Sequence, residues 1–216
     1  MRKWYLLGIS LALVGLTALA ACAPVFGAPG PRQGWGMGPG RMGPGMMGGG
    51  WSSYSPDAKP LTIDQAAEAV QGYLKGSRNL ELTEVMEFAW NFYAEVEEKD
   101  TGIHAMELLI DRYTGRVYPE MGPNMMWNAK YGMMSRSVQP AAEMPVTAGQ
   151  AETQAQQYLD TNMPGITVAE ADTFYGYYTL HTLKDGKIEG MLSVNGYTGA
   201  VWYHSWHGPF ISMKEY

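Results

Sequence analysis

Two stretches of the chain carry the spacing of a helix with one apolar face. After Thr62, apolar residues recur every three or four positions: Ile63, Ala66, Ala67, Val70, Tyr73 and Leu74. After Thr147, the same spacing is carried by Ala151, Ala155, Tyr158 and Leu159. Each stretch opens with a capping box, completed by Gln65 or Gln150, in which two side chains accept hydrogen bonds from free backbone amides of the first turn. The pattern predicts an amphipathic helix at both places.

Alternation of apolar and polar residues follows each helix and predicts strands. Every second residue is apolar from Met86 to Val96, which predicts one long strand with a single buried face. Further strands are expected at 81–85, 106–110, 117–118, 167–171, 174–180 and 192–194, with turns at Thr101-Gly102 and Asp185-Gly186. Helix and strands together predict an α+β arrangement in each region.

The two regions match each other in order along the chain. Leu61 to Ala66 corresponds to Val146 to Ala151 at an offset of 146 − 61 = 85. Tyr113-Thr114-Gly115 corresponds to Tyr197-Thr198-Gly199 at an offset of 197 − 113 = 84. This order predicts two tandem repeats of roughly 70 residues, near the small end of what folds alone, each with one helix packed on a small antiparallel sheet.

Composition narrows the class of protein. The chain has 216 residues, 46% of them apolar, which is enough to build a hydrophobic core. Lys and Arg number 15 and Asp and Glu 21, so the formal charge is −6. That balance argues against a nucleic-acid partner, because nucleic-acid-binding proteins carry a basic face. A single cysteine excludes an internal disulfide and a multi-cysteine metal site.

The first 21 residues predict an export signal. Arg2 and Lys3 precede an uncharged stretch, 4–21, that ends in small residues and is short for a membrane span. The cysteine follows at once, and Leu19-Ala20-Ala21-Cys22 resembles the bacterial lipobox. That resemblance implies cleavage before Cys22, a diacylglycerol thioether on its sulfur and an acylated amine, which together anchor a chain firmly. The alternative is an uncleaved membrane helix; both interpretations place the remainder outside the cytoplasm.

A glycine-rich segment follows the lipobox. Residues 27–50 contain eleven Gly and four Pro, a composition that cannot bury enough apolar surface to fold. We therefore expect a tether between the lipid and the folded part. Its methionines are Met37, Met42, Met46 and Met47.

The end of the first region carries a family resemblance. The run from Leu109 to Val117, which contains Asp111, Thr114 and Gly115, is similar to the D-x-x-T-G-x-V closing strand and turn of the PepSY domain. Asn195 and Ala200 depart from the pattern in the second region. The resemblance covers about 60–120 and 145–204. It implies a helix-on-sheet fold and a non-catalytic role, inhibitory in the propeptides of thermolysin-like peptidases, and it carries over no catalytic residues.

The sequence offers no motif for a common catalytic site. The four histidines do not form H-E-x-x-H, and G-x-S-x-G and the phosphate-binding G-x-x-x-x-G-K-[ST] are missing. We therefore predict that the protein is not an enzyme and needs no cofactor.

Methionine is the compositional outlier, with 16 residues. A second group lies between the two regions: Met121, Met125, Met126, Met133 and Met134. Thioethers are soft ligands that favour Cu(I), and an oxidising envelope withholds thiols, so these two groups are candidates for copper binding or storage. The alternative for the second group is ordinary apolar packing, since methionine fills irregular gaps.

The remaining polar candidates are histidines and acids. His204 and His207 follow the last predicted strand and could join a mixed Met and His site, although we prefer surface histidines on a tail, because two ligands do not make a site. His104 and His181 are expected to be ordinary strand residues. Glu95, Glu97, Glu98 and Asp100 are expected to form a solvated strand face and turn.

These expectations define a domain plan and a function. The plan comprises a signal peptide (1–21), a lipid-anchored tether (22–59), a first repeat (60–120), a Met-rich linker (121–144) and a second repeat with a C-terminal tail (145–216). We predict a lipid-anchored protein of the bacterial cell envelope that binds or inhibits a protein partner, with a peptidase as one candidate. The alternatives are Cu(I) binding by the Met-rich segments and a passive structural lipoprotein.

Overall fold

The computed structural model describes residues 57–133 and 143–216. Its helices are α1 (Ile63–Tyr73), α2 (Pro123–Met126) and α3 (Ala148–Asn162). Its strands are β1 (Leu80–Phe88), β2 (Phe92–Glu98), β3 (His104–Ile110), β4 (Val117–Pro119), β5 (Ile166–Phe174), β6 (Tyr177–Lys184), β7 (Lys187–Asn195), β8 (Val201–Tyr203) and β9 (Phe210–Glu215). The α+β prediction is confirmed.

All these strands form one mixed sheet rather than a small sheet in each region. The order is β8-β7-β6-β5-β3-β2-β1-β9, with β4 also paired to β3. The two halves join where β3 and β5 run parallel, through the single pair of His104 and Phe174. β8 and β9 lie at opposite ends of this order, yet only residues 204–209 connect them. The sheet must therefore curl until its two ends come close together.

Both helices begin as the sequence predicts, because local hydrogen bonds decide where they start. Thr62 and Thr147 are N-caps with complete capping boxes. α1 buries Ala66, Ala67 and Val70 against the first half of the sheet, and α3 buries Ala151, Ala155 and Leu159 against the second half. Tyr73, expected on the apolar face, is 47% exposed at the end of α1.

The long strand predicted from Met86 to Val96 is wrong. The chain turns back between β1 and β2, where the Phe88 N–H donates to the Asn91 carbonyl. Met86 and Phe88 then lie in a different core from Phe92. Because both faces of this hairpin are buried, apolar residues continue through the turn and the alternation does not show where the strand ends. The strand expected over 174–180 is divided in the same way, between β5 and β6.

The turn of the D-x-x-T-G motif has the same hydrogen bonds in both halves. Asp111 Oδ1 accepts from the backbone N–H groups of Tyr113 and Thr114. Asn195 Oδ1 accepts from the N–H groups of residues 197 and 198. The Asp-to-Asn departure therefore preserves the acceptor on which the turn depends.

The curled sheet encloses a third core between its two halves. Met86, Phe88, Tyr93 and Leu109 come from the first half, and Met191 and Trp206 come from the second. This interior also contains ionisable side chains. Within the described ranges, no helix is long and apolar enough to cross a membrane.

Candidate functional site

Three buried or half-buried groups of histidine and carboxylate side chains lie in the interior of the curled sheet. They are Glu120 with His204 and His207, Glu84 with Glu95 and His181, and Glu95 with His104 and Asp172. Buried ionisable groups are costly unless they are paired or coordinate a metal. This interior is therefore the candidate functional site.

Glu120 and His204 are brought together by matching positions in the two halves. Glu120 follows β4, and its backbone N–H donates to the Glu107 carbonyl at 2.9 Å. His204 follows β8, and its N–H donates to the Met191 carbonyl at 3.0 Å. Inside the curled sheet, His204 Nδ1 lies 3.8 Å from Glu120 Oε2.

His207 completes this group, which we call the Glu120 cluster. Its Nε2 lies 3.0 Å from Glu120 Oε1, which also accepts from the Trp206 indole N–H at 2.9 Å. The cluster is almost fully buried, with exposed fractions of 0% for Glu120, 4% for His204 and 1% for His207. The expectation of surface histidines on a tail is therefore wrong, because the short connection between β8 and β9 passes through the core.

Burial decides the charge state of the Glu120 cluster. Removal from water raises the pKa of Glu120 to about 8, despite hydrogen bonds from Trp206 and Glu107 that lower it. The same burial lowers the pKa of His207 to about 3 and that of His204 well below its usual value. Both imidazoles are therefore neutral at physiological pH, the form that binds metal ions.

The other two histidines have the opposite charge state. Burial opposes the charge on His104 and His181, but the facing carboxylates Glu95 and Glu84 outweigh it and raise each pKa to about 9. His104 Nδ1 lies 3.1 Å from Glu95 Oε2, and His181 Nε2 lies 3.3 Å from Glu84 Oε1. They are imidazolium ions in ion pairs rather than ordinary strand residues.

A buried hydrogen-bond chain connects the two regions of the interior. Glu107 is 0% exposed and accepts from the hydroxyl groups of Tyr93, Tyr177 and Thr179. The Tyr93 hydroxyl shares its one proton between Glu107 and Glu95 Oε1, which lies 2.7 Å away, and Thr179 is connected through Ser193 to His204. Burial raises the pKa of Glu107 well above its usual range, and the nearby carboxyl of Glu120 raises it further.

The expected solvated acidic face is wrong for Glu95 and Glu98, which are 3% and 1% exposed. Glu98 accepts from the ammonium of Lys130 and from the hydroxyls of Tyr131 and Tyr175. Burial acts to raise its pKa, but these hydrogen bonds outweigh it and lower the pKa to about 2. Glu98 therefore ties the segment after α2 to the β2–β3 turn and to the β5–β6 turn.

The methionine candidates are scattered where the structure describes them. Met121 packs against the third core, Met125 is half-buried, and Met126 and Met133 are 44% and 76% exposed. The other candidates lie outside the described residues: Cys22, Met37, Met42, Met46, Met47 and Met134.

Glu120 is the residue of the Glu120 cluster that the sequence interpretation missed. The offset of 84 that relates Tyr113 to Tyr197 also relates Glu120 to His204, since 204 − 120 = 84. Following that offset past the turn would have identified Glu120 as the counterpart of a candidate ligand.

Comparison with protein-family models and with curated proteins gives no match. Among solved structures, the chain is similar to the Bacillus megaterium YpeB C-terminal domain, with 11% identity and a TM-score of 0.25. The alignment covers 67% of this chain and 62% of that one, so this chain spans less than two thirds of that domain. The likeness is weak.

Proposed function

We propose that this protein is a non-catalytic module of the bacterial cell envelope that binds an apolar segment of a protein partner. The observation that supports the proposal is a pocket of about 420 Å³ where the two halves of the sheet meet. Its walls include Ile103, Met144, Phe174, Tyr175 and Tyr197. Pockets of this size with apolar and aromatic walls and few polar groups are typical of binding sites.

The aromatic wall of the pocket is held in place from behind. The Phe174 ring stacks on Tyr177 with centroids 4.7 Å apart. The Tyr175 hydroxyl donates to Glu98 at 2.6 Å, and Lys130 Nζ lies 4.5 Å from the centre of the Tyr175 ring. A wall that is ordered before binding costs little entropy on association, which favours a tight complex. Lys130 and Glu143 add one positive and one negative side chain to the lining of this pocket.

A charge placed in the pocket tests the proposal. Full-length chains with Ile103→Arg and with Gln157→Arg would be used to capture proteins from an envelope extract, followed by quantitative mass spectrometry. Gln157 lies on the exposed face of α3 and serves as the matched control. We expect a partner retained by the wild type and by Gln157→Arg but reduced about tenfold on Ile103→Arg, a change of about 1.4 kcal/mol in binding. Equal recovery on all three chains, or no specific protein on the wild type, contradicts the proposal.

The location is part of the same proposal. The uncharged leader and the lipobox-like Leu19-Ala20-Ala21-Cys22 support export and lipid attachment at Cys22. Loss of Arg2 and Lys3 on cleavage would leave a charge of 13 − 21 = −8 on the exported chain. Intact-mass spectrometry of the native protein tests this point, since an intact leader and a free thiol would exclude the anchor.

We also infer that the two halves arose by duplication of one PepSY-like unit. Three correspondences support this inference: the capping boxes at Thr62 and Thr147, the turns at Asp111 and Asn195, and the matched positions of Glu120 and His204. Superposition of 60–120 on 145–204 would test it. If these pairs failed to coincide, the inference would be wrong.

A further inference from the structure

We propose that the Glu120 cluster is a binding site for one divalent transition-metal ion of the zinc class, with Glu120, His204 and His207 as protein ligands. Each residue offers a ligand atom, and the three atoms lie within 4.8 Å of one another. Two imidazole nitrogens and one carboxylate form a ligand set that zinc takes when it keeps a further position open.

One ligand nitrogen has no hydrogen-bond partner in the described part of the chain. His204 Nδ1 is buried, and the facing carboxylate oxygen, Glu120 Oε2, lies 3.8 Å away, too far for a hydrogen bond. His207 Nε2 contacts Glu120 through the other carboxylate oxygen, at 3.0 Å. Buried polar atoms are almost always hydrogen-bonded, so a buried nitrogen that is directed at a carboxylate without bonding it needs an explanation. A cation between Glu120 and the two imidazoles would satisfy it.

The hydrogen bonds around the cluster fix the tautomer of His207. The Asn91 amide donates through Nδ2 to the Trp206 carbonyl, so its Oδ1 faces His207 Nδ1 at 2.8 Å. That oxygen can only accept, and His207 Nδ1 must therefore carry the proton. Nε2 is left with its lone pair directed toward Glu120, as a ligand nitrogen requires.

A chain of hydrogen bonds that begins at Glu107 orients His204. When Thr179 donates its hydroxyl proton to Glu107, Ser193 donates to Thr179 and accepts from His204 Nε2, at 2.9 Å in each case. His204 Nδ1 is then the unprotonated nitrogen, and it points toward Glu120. Outer-shell partners of this kind orient the ligands of natural metal sites.

The spacing of the atoms suits a small ion. Zinc bonds of about 2.0–2.1 Å at tetrahedral angles place neighbouring ligand atoms about 3.3 Å apart. Each oxygen of Glu120 faces one imidazole, Oε1 at 3.0 Å from His207 Nε2 and Oε2 at 3.8 Å from His204 Nδ1, and these two distances lie on either side of that value. Stacking of His204 on Trp206 and of His207 on Phe88, with centroids 4.6 Å apart in both pairs, holds the two rings in place.

A cavity of about 350 Å³ lies beside the segment that joins β8 to β9. It is lined by His204 together with Tyr203, Ser205, Gly208 and Phe210. Because Glu120 belongs to the first half of the sheet and the two histidines to the second, a bound ion would connect the halves across the interior.

Metal titration of the full chain tests this proposal. After treatment with a chelator and desalting, we expect the wild type to take up one Zn²⁺ per chain in competition with a chromogenic chelator. Bound Co²⁺ should give visible ligand-field absorption that Zn²⁺ removes. Absence of zinc uptake by the wild type would overturn the proposal.

Side-chain ¹⁵N spectra of the histidines identify the ligand atoms without any mutation. We expect Zn²⁺ to shift Nδ1 of His204 and Nε2 of His207 and to leave His104 and His181 unchanged. Shifts confined to His104 and His181 would assign the metal elsewhere and contradict the proposal.

Variants separate this cluster from the other candidate ligands. Glu120→Gln and His207→Gln should each abolish the uptake of one equivalent, whereas His104→Gln and Met121→Leu should retain it. Circular dichroism checks that each chain is folded. Full uptake by Glu120→Gln would overturn the assignment, and if that variant does not fold, the wild-type ¹⁵N spectra decide. The proposal does not depend on partner binding, which is measured separately with Ile103→Arg.

Discussion

Glu120 and His204, 84 residues apart in the chain, occupy matching positions in the two halves and face each other across the interior at 3.8 Å. Each follows the short strand that pairs with a longer one, and each is fixed by its own backbone N–H. Their side chains meet only because the sheet curls. The chemistry of the interior therefore depends on tertiary packing, whereas the placement of each residue is local.

The turn at Asn195 should contribute measurably to stability. Its Oδ1 accepts two backbone N–H groups, and the side chain is 8% exposed. We expect Asn195→Ala to lower the free energy of unfolding by about 1–3 kcal/mol, because it removes two hydrogen bonds to backbone N–H groups of the turn. Asn195→Asp keeps the acceptor and should lose much less. Urea unfolding of the two variants checks this. An equal loss of stability in both would show that the hydrogen bonds accepted by Asn195 Oδ1 do not stabilise the turn.

Stability should decline as the pH rises from about 6.5 to 9. His104 and His181 have folded pKa values of about 9 against 6.5 for an ordinary histidine. Their contribution to the free energy of unfolding is thus complete below pH 6.5 and is lost as the pH rises through 9. The free energy then falls by up to about 1.4 kcal/mol per pH unit for each proton released. Burial also raises the pKa of Asp172 to about 7, which adds a decline between about pH 4 and 7.

The groups that face these histidines are Glu84, Glu95, Glu97 and Asp172, with Glu215 beside Glu84. Replacing His181 with Gln should reduce the decline above pH 6.5 without abolishing it, since His104 and Glu120, with pKa values of about 9 and about 8, still titrate in that range. Urea unfolding at a series of pH values measures the slope. A wild-type stability that is constant or increases from pH 6.5 to 9 would refute the assignment.

The stabilising effect of buried Glu98 should depend on the tyrosine hydroxyls that donate to it. Tyr175→Phe removes one hydrogen bond to this buried carboxylate and leaves the ring in place. We expect a loss of about 1–2 kcal/mol in the free energy of unfolding, because hydrogen bonds to charged groups are stronger than neutral ones. Tyr73→Phe, at an exposed position, is the matched control and should change little. A similar effect in both variants would indicate that the Glu98 contact is not stabilising.

Gly122 should be intolerant of a side chain. Its φ of 85° is rare for other residues, and a Cβ would lie 3.2 Å from Trp206 Cη2. We expect Gly122→Ala to destabilise the fold by about 1–3 kcal/mol through backbone strain. Gly72→Ala, inside α1 with nothing within 4 Å of the new Cβ, should instead be neutral or stabilising by up to about 1 kcal/mol. Thermal unfolding of both variants checks the contrast, and tolerance of Gly122→Ala would contradict it.

The sequence by itself determined the features that depend on near neighbours in the chain. Hydrogen bonds between residues close in the chain determine where the helices begin, at Thr62 and Thr147, and where the turn before Gly115 forms. These features can therefore be predicted directly from the sequence. The strand ends at Phe88 and Phe174 were not readable, because buried faces on both sides of the sheet keep the residues apolar through the turn.

Only the tertiary structure decided the site. The curl of the sheet buries His204 and His207 and aligns them with Glu120 from the other half. It also pairs His104 and His181 with carboxylates, so that one pair of histidines is charged and the other neutral. The sequence does not show whether a histidine is charged. Its charge is set by its burial and by the groups around it, which come from distant parts of the chain.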